Sequence, residues 1–262
     1  MIKIHFLGTC SGTEPMPDMH HCSWILEVAG CNYWFDAGET CSHTAHVSGV
    51  DILHTRAIFV SHPHIDHIGG LANLLHSMRK LVSRTGRELI HQNSVEIFFP
   101  DMHLLQAIKL VAASGGTDVK DKYHLIEKQL HEGRLYEDEN VRVSAIHNRH
   151  LQGNSGRDHM SYSFLIETDG KRIVFSGDVK EPCELDDLIK EGCDMLIMET
   201  GHHAVSDVCE YASSRNVKRL RFNHHGREII NNRAKCEEFV DAFAQQADMS
   251  VVICKDKMVE EL

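Results

Sequence analysis

The chain has 262 residues, of which 42% are hydrophobic, 25% charged and 6% aromatic, a composition that argues against collagen, coiled coil and a mainly disordered chain. Lys and Arg number 27 against 38 for Asp and Glu, so the formal charge is −11 and the surface as a whole disfavours long nucleic acids. No apolar run approaches the ~18 residues needed to cross a bilayer, and we expect one cytoplasmic domain over residues 1–262 without a membrane partner.

Short strands and amphipathic helices are predicted throughout the chain. In the first half, apolar or alternating runs that end near Gly, Pro or Asp predict strands over 2–7, 23–28, 32–35, 57–60 and 95–99, and helical spacing of Leu and Met predicts helices over 71–82 and 102–113. The second half repeats the pattern, with strands near 141–146, 161–167, 172–176, 195–198 and 218–222 and helices near 184–190, 205–213 and 233–243. Two strand-rich halves with helices predict an α/β protein in which sheets pack together under outer helices.

Histidine and cysteine usage indicates what kind of site to expect. Nine cysteines occur without CxxC spacing, which fits neither a disulfide framework nor a zinc ribbon. The 21 histidines are an unusually large number, and neutral imidazole is the commonest metal ligand in proteins. A metal site with imidazole ligands is therefore expected.

The segment HPHIDHIGG, residues 62–70, follows the strand over 57–60 and precedes the helix over 71–82, so we predict that it forms a loop. Three imidazoles and one carboxylate within six residues exceed what one tetrahedral ion uses, but they can serve two ions. His62 and His64 alternate in an extended segment and can face one metal. Asp66 and His67 can then face the other.

This HxHxDH string, placed after a hydrophobic strand and followed by two glycines and a helix, resembles the metallo-β-lactamase superfamily. Three further segments resemble motifs of that superfamily in the expected order: DAG at 36–38, FSGD at 175–178 and FNH at 222–224. The resemblance implies an αββα sandwich, two mixed sheets flanked by helices, with the metal loops at one edge where strands end.

Within the superfamily, the segments FLGTCSG at 6–12 and LIMET at 196–200 are similar to ribonuclease Z and its phosphodiesterase relatives. Ribonuclease Z usually carries an Arg-Asn pair shortly after the first segment, where this chain has HHCS at 20–23. It also carries a long arm that grips transfer RNA between the third-motif His and the following Asp. Only 27 residues separate His150 from Asp178, so the arm is absent at its expected place.

Two of the implied ligands require a choice between nearby histidines. His147 and His150 both follow the strand near 141–146, and the ribonuclease Z spacing from Val143 resembles the step to His150. His224 and His225 would point in opposite directions if their strand continued, and the resemblance assigns the ligand to His224. The implied set is His62, His64 and His150 on one ion, Asp66, His67 and His224 on the other, and Asp178 between them.

Imidazole and carboxylate ligands suit two divalent metal ions, with Zn²⁺ favoured and Mn²⁺ or Fe also compatible. Such ions make hydroxide available near neutral pH, and Asp66 is placed to orient the attacking water. By its distance from His224, His202 resembles the proton donor of the ribonuclease Z branch, which acts together with a glutamate, here Glu199. His203 is the neighbouring alternative.

The leading functional hypothesis is a phosphodiesterase that acts on a small or short phosphodiester. Transfer RNA 3′ processing is the alternative within the same branch; the missing arm and the acidic balance argue against it, although a homodimer could present a groove from both subunits. Lactone or β-lactam hydrolysis is a further alternative, because the same dinuclear site serves those bonds elsewhere in the superfamily. A non-catalytic binding role is the last, and the fold does not choose among substrates.

Overall fold

The computed structural model describes residues 1–114, 116, 122–153 and 156–262. These residues form two compact units, Met1–Leu130 with Lys255–Leu262, and His131–Cys254. In the described part of the chain, no helix combines the length and the apolar character that spanning a membrane would require.

The first unit is built on a mixed sheet. Its described strands are β1 (Ile2–Gly8), β2 (Ser23–Val28), β3 (Cys31–Phe35), β4 (Thr55–Phe59), β5 (Ser94–Phe99), β6 (His124–Gln129) and β14 (Val259–Glu261). They lie in the order β14-β1-β2-β3-β4-β5-β6. Pairing is antiparallel from β14 to β3 and parallel from β3 to β6. The central strands are buried along their whole length, as expected for strands covered on both faces.

Helices cover this sheet through the apolar stripes that the sequence predicts. The helices are α1 (Cys41–Val47), α2 (Ile65–Ile68), α3 (Leu71–Thr85) and α4 (Met102–Ala112). Leu71, Leu74, Leu75 and Met78 of α3 are fully buried in one cluster with strand side chains. Burial of each such side chain stabilises the fold by about 1.5–3 kcal/mol. The predicted helices over 71–82 and 102–113 are thus confirmed.

The second unit repeats this architecture. Its described strands are β7 (Gly133–Glu137), β8 (Arg142–His147), β9 (Tyr162–Thr168), β10 (Lys171–Phe175), β11 (Met195–Glu199), β12 (Arg219–Asn223) and β13 (Ser250–Ile253), and its helices are α5 (Asp186–Ile189), α6 (Val205–Ser213) and α7 (Arg227–Ala247). The sheet order is β13-β12-β11-β10-β9-β8-β7. Strands β10 to β13 are parallel, and those from β7 to β10 are antiparallel. The predicted mixed sheets with helices are confirmed in both units.

The parallel strands position the candidate ligands. In the first unit, Asp36 follows β3, and the histidine-rich segment begins three residues after the end of β4. In the second unit, Asp178 follows β10, Glu199 ends β11 and His224 follows β12. Because neighbouring parallel strands end at the same edge of a sheet, side chains far apart in sequence are brought together within each unit.

The structure differs from the sequence prediction in three places. Helix α7 begins at Arg227 rather than at residue 233, because a distorted turn at Asn232 interrupts the apolar periodicity on which the prediction relied. Strands β6, β7, β13 and β14 and helix α1 were missed, since they are short or lack the clear apolar alternation of the others. The segment 62–70 is not wholly a loop: α2 forms one helical turn that carries Asp66 and His67.

Candidate metal centre

His62 and His64 converge in the first unit, as their alternation in an extended segment predicts. The Nε2 atom of His62 lies 3.0 Å from Nδ1 of His64. Two nitrogens on one tetrahedral zinc, each about 2.0–2.1 Å from it, would be about 3.4 Å apart. The His62 side chain is fully buried, while His64 is partly exposed. The two rings therefore present two nitrogen atoms at a separation close to that of two ligands of one metal ion.

Asp66 and His67 form a second donor pair on α2. Oδ2 of Asp66 lies 3.4 Å from Nε2 of His67, and both side chains are buried. The backbone of Gly12 packs against this carboxylate, because a Cβ at Gly12 would lie 2.9 Å from Oδ2 of Asp66. The helical turn and this close backbone contact together fix the direction of the Asp66 side chain.

Asp36 orients the imidazoles of the first unit. Its fully buried carboxylate accepts hydrogen bonds from the Ser61 backbone N–H at 2.7 Å, the Ser61 hydroxyl at 2.8 Å and Nδ1 of His67 at 2.7 Å. The Ser61 hydroxyl in turn accepts from Nδ1 of His62 at 3.0 Å. Both rings therefore keep Nε2 as an acceptor, which is the form that ligates a metal. The sequence marks Asp36 only as part of the DAG motif, and the single signal for Ser61 is its place beside the HxH string.

Asp178 lies among three imidazoles in the second unit. Its Oδ1 atom is 3.4 Å from Nδ1 of His224, and its Oδ2 atom is 3.7 Å from Nε2 of His150 and 3.9 Å from Nδ1 of His202. The carboxylate is 2% exposed, so these imidazoles and not bulk water surround it. Its two oxygens face different histidines, an arrangement that suits a carboxylate shared between two cations.

The structure separates the histidines between which the sequence left a choice. Nε2 of His147 lies 2.7 Å from the Asp158 carbonyl oxygen, whereas His150 faces Asp178. His225 is fully buried and donates from Nε2 to the Cys254 carbonyl at 2.9 Å. Burial lowers the pKa of His225 to about 3 and keeps its imidazole neutral. In both pairs, the favoured histidine lies next to Asp178 and the other is bonded to the backbone.

Glu199 and His202 form a hydrogen-bonded pair beside Asp178. The Glu199 carboxylate accepts from the His202 backbone N–H and from its Nδ1, both at 2.9 Å. This bond raises the pKa of His202, although burial opposes the shift. Burial and the charge of Asp178 raise the pKa of Glu199, but the hydrogen bond from His202 and the neighbouring His224 imidazole, 3.7 Å away, outweigh them, so the net shift is downward. The Glu199 carboxylate therefore favours the protonated form of the His202 ring.

His203, the alternative proton donor, has a different environment. Its Nε2 atom donates to the Val179 carbonyl at 3.0 Å, and its side chain is 11% exposed, compared with 45% for that of His202. Geometry thus leaves His202 accessible and ties His203 to the backbone.

The predicted ligands consequently fall into two clusters of nitrogen and oxygen donors, His62, His64, Asp66 and His67 in the first unit and His150, Asp178 and His224 in the second. Imidazole and carboxylate donors of this kind fit Zn²⁺, Mn²⁺ or Fe. Within the second unit, one donor atom each from Asp178, His202 and His224 lies within 4.8 Å of the others. The residues present therefore fit a divalent transition metal.

Comparison with known proteins yields matches over most or all of the chain. A family model described as "Anti-Pycsar protein Apyc1" matches residues 2–247. Ribonuclease Z of Methanothermobacter thermautotrophicus is 23% identical, covering 100% of this chain and 97% of the relative. The metallo-β-lactamase fold protein YhfI from Bacillus subtilis is similar with a TM-score of 0.74 and 17% identity, covering 100% of this chain and 99% of that one. A diphosphatase from the PhnP family has a TM-score of 0.63 and 14% identity, covering 100% and 98%. The predicted fold class is confirmed.

The first prediction concerns Asp36. Replacement by Asn leaves an amide that cannot accept all three hydrogen bonds from Ser61 and His67, so we expect metal affinity to fall about 10- to 100-fold. Competition with a chelating dye measures the affinity. Asp101→Asn is the matched control, because Asp101 caps α4 and Asn caps helices equally well. Unchanged affinity in a folded Asp36→Asn protein would contradict this role.

Proposed function

Because this chain belongs to the family of the anti-Pycsar protein Apyc1 and has the metallo-β-lactamase fold, we propose that it is a dinuclear-metal phosphodiesterase acting on a small or short phosphodiester. It is a metal-dependent hydrolase with ribonuclease Z-like homologues, and it carries His and Asp clusters able to bind metal. The proposal adds the number of ions, the ligand roles and the class of substrate.

The observation that carries the proposal is the position of Asp178. One carboxylate oxygen faces His224 and the other faces His150, at 3.4 and 3.7 Å. A single ion would need only one of these oxygens, whereas two ions a few ångströms apart use both.

The ligand order of the metallo-β-lactamase superfamily supports the assignment of seven side chains to two ions. In the proposed assignment, His62, His64 and His150 hold one ion, Asp66, His67 and His224 hold the other, and Asp178 serves both. Ser61 and Asp36 accept hydrogen bonds from the Nδ1 atoms of His62 and His67, respectively. Zn²⁺ is the ion that we favour.

When bound, two such ions lower the pKa of a shared water and neutralise charge that grows on a phosphoryl oxygen. Asp66 orients the attacking water through its carboxylate. His202 donates the proton that a leaving alkoxide needs, because Glu199 holds Nδ1 and leaves Nε2 to carry a proton toward the substrate. The hydrogen bond to Glu199 also raises the pKa of His202, which favours the protonated ring.

Two sequence features support a small substrate over folded RNA. The formal charge of −11 repels an extended phosphate backbone. The 27 residues between His150 and Asp178 include β9 and β10, leaving little length for an arm that grips transfer RNA. One structural neighbour is described as a diphosphatase, so the fold that it shares with this chain is compatible with hydrolysis at phosphorus.

Transfer RNA processing is the second candidate, because the ribonuclease Z relative is similar over the whole of this chain.

We expect the hydrolysis of bis(p-nitrophenyl) phosphate and of 3′,5′-cyclic mononucleotides of each base to exceed that of precursor transfer RNA and of a lactone. Competitive kinetics at one stated salt concentration decide, since RNA affinity depends steeply on ionic strength. Efficient 3′ cleavage of the precursor at physiological salt, or preferred lactone turnover, would contradict the proposal.

Metal content tests the ligand roles. Elemental analysis of protein purified without chelator should give about two transition-metal ions per chain. We expect Asp178→Ala to lose both ions and His150→Ala to lose mainly one, while His147→Ala, the matched control, retains both. No bound metal together with activity that survives exhaustive chelation would overturn the centre. Loss of metal in His147→Ala but not in His150→Ala would reverse the choice between them.

The proton-donor role of His202 predicts a dependence on the leaving group. His202→Ala should retain its metals and lower kcat about 100-fold or more for a cyclic nucleotide, whose leaving group is an alkoxide. The loss should be much smaller for bis(p-nitrophenyl) phosphate, because p-nitrophenolate departs without a proton. His203→Ala is the control, and we expect its ratio of kcat values for the two substrates to equal that of the wild type. Equal losses on both substrates with metals retained would remove His202 from this role.

A further inference from the structure

Residues 9–20 form a loop between β1 and β2 whose two ends are joined by a carboxylate from the far end of the chain. Oδ1 of Asp256 accepts hydrogen bonds from the backbone N–H and the hydroxyl of Thr9, at 3.0 and 2.7 Å. Its Oδ2 atom accepts from the His20 backbone N–H at 2.6 Å. A backbone hydrogen bond of 2.8 Å from the Cys10 N–H to the His20 carbonyl also joins the two ends of the loop, which we call the loop base.

The backbone around Asp256 is held by hydrogen bonds to β1 that involve no residue of the 9–20 loop. Asp256 lies in the turn before β14, where the backbone bonds from Lys257 N–H to Phe6 carbonyl and from Phe6 N–H to Met258 carbonyl measure 2.7 and 2.9 Å. Strand β14 then pairs antiparallel with β1. Asp256 also lies beyond residue 247, where the match to the family model ends. The sheet therefore determines the position of the Asp256 carboxylate, and the two ends of the loop are hydrogen-bonded to it.

The loop contacts the metal-binding turn of the same unit through Gly12. A Cβ there would lie 2.9 Å from the Asp66 carboxylate, so only backbone fits between the loop and this proposed ligand. A shift of the loop base is transmitted to the contact with Asp66, because only two residues, Cys10 and Ser11, separate Thr9 from Gly12. The loop therefore packs along one side of the Asp66 side chain.

The composition of the loop indicates what kind of molecule it admits. Residues 9–20 contain Glu14 and Asp18 but no Lys or Arg, and Met16 and Met19 close a turn near its tip through a backbone bond of 3.4 Å. Two carboxylates repel a polyanion. Thioether side chains, by contrast, adapt to apolar or aromatic surfaces.

We propose that Asp256 is a positioning residue that holds the 9–20 loop against Asp66, so that the loop contacts a small phosphodiester and rejects extended RNA. The proposal rests on the phosphodiesterase function proposed above. Asp256 touches neither the substrate nor a proposed metal ligand, and it acts through Thr9 and His20.

Asp256→Asn tests this role, because no orientation of the amide accepts all three hydrogen bonds and its NH₂ group opposes at least one N–H donor. Asp248→Asn is the matched control: Asp248 is exposed in a left-handed conformation, φ 50°, that Asn also adopts readily. Thr9→Val is a milder second variant that removes only the hydroxyl bond at 2.7 Å while keeping a buried β-branched side chain.

Hydrogen exchange provides a readout that needs no substrate. We expect the Thr9 and His20 amides to exchange about tenfold or more faster in Asp256→Asn than in the wild type or in Asp248→Asn, since exchange follows local opening. With metal content unchanged, KM for bis(p-nitrophenyl) phosphate should rise about tenfold and kcat should change by less than about twofold. The inhibition constant of transfer RNA at fixed salt should stay the same or fall. Thr9→Val should shift KM in the same direction by less.

Three results would overturn the proposal. Unchanged exchange at Thr9 and His20 in Asp256→Asn would show that the carboxylate does not hold the loop. Faster exchange with an unchanged KM would show that Asp256 has only a structural role. An equal loss of affinity for the small diester and for RNA would show the same. If the wild type hydrolysed no phosphodiester, the proposed function and the substrate role of the loop would fail together, while the exchange measurements would still decide whether Asp256 holds the loop.

Discussion

The buried Asp36 carboxylate is the constraint on which the first-unit metal donors depend. It accepts three hydrogen bonds, two from Ser61 and one from His67, and through the Ser61 hydroxyl it also fixes His62. A fully buried carboxylate is tolerated only when such donors surround it, and loss of one charged-group hydrogen bond costs about 1.5–3 kcal/mol. The sequence must therefore supply Asp36, Ser61 and the two histidines as a set.

Strand direction explains why the donors gather where they do. In each unit most of the candidate ligands follow parallel strands, so segments distant in sequence end at one edge. His150 is the exception, because it follows the antiparallel strand β8. Close backbone contact then holds the loops together in the first unit: Gly70 donates from its N–H to the Ala37 carbonyl at 2.8 Å, and a Cβ at Gly70 would lie 2.1 Å from the Gly38 carbonyl oxygen. Glycine is required there because no side chain fits between the two turns.

Periodicity predicted the regular part of the fold, while the spacing of the HxHxDH string and the resemblance to the metallo-β-lactamase superfamily predicted the candidate ligands. Strands β1 to β5 and helix α3 have strong local signals, since apolar residues recur at the period of the element itself. The HxHxDH string is likewise readable as a candidate metal-binding segment, because its donors lie within six residues. Weak elements such as β14 were missed, because pairing with β1 and not local preference makes them strands.

Tertiary structure alone decided which neighbouring histidine faces a carboxylate. The sequence by itself determined that imidazoles follow the strands near 141–146 and 218–222, but His147 and His150 differ only in what lies opposite them once the chain has folded. The same holds for Asp256, whose partner Thr9 is 247 residues away. The physical reason is that local spacing sets the identity and phase of a side chain, whereas hydrogen-bond partners and burial come from segments that only folding brings within reach.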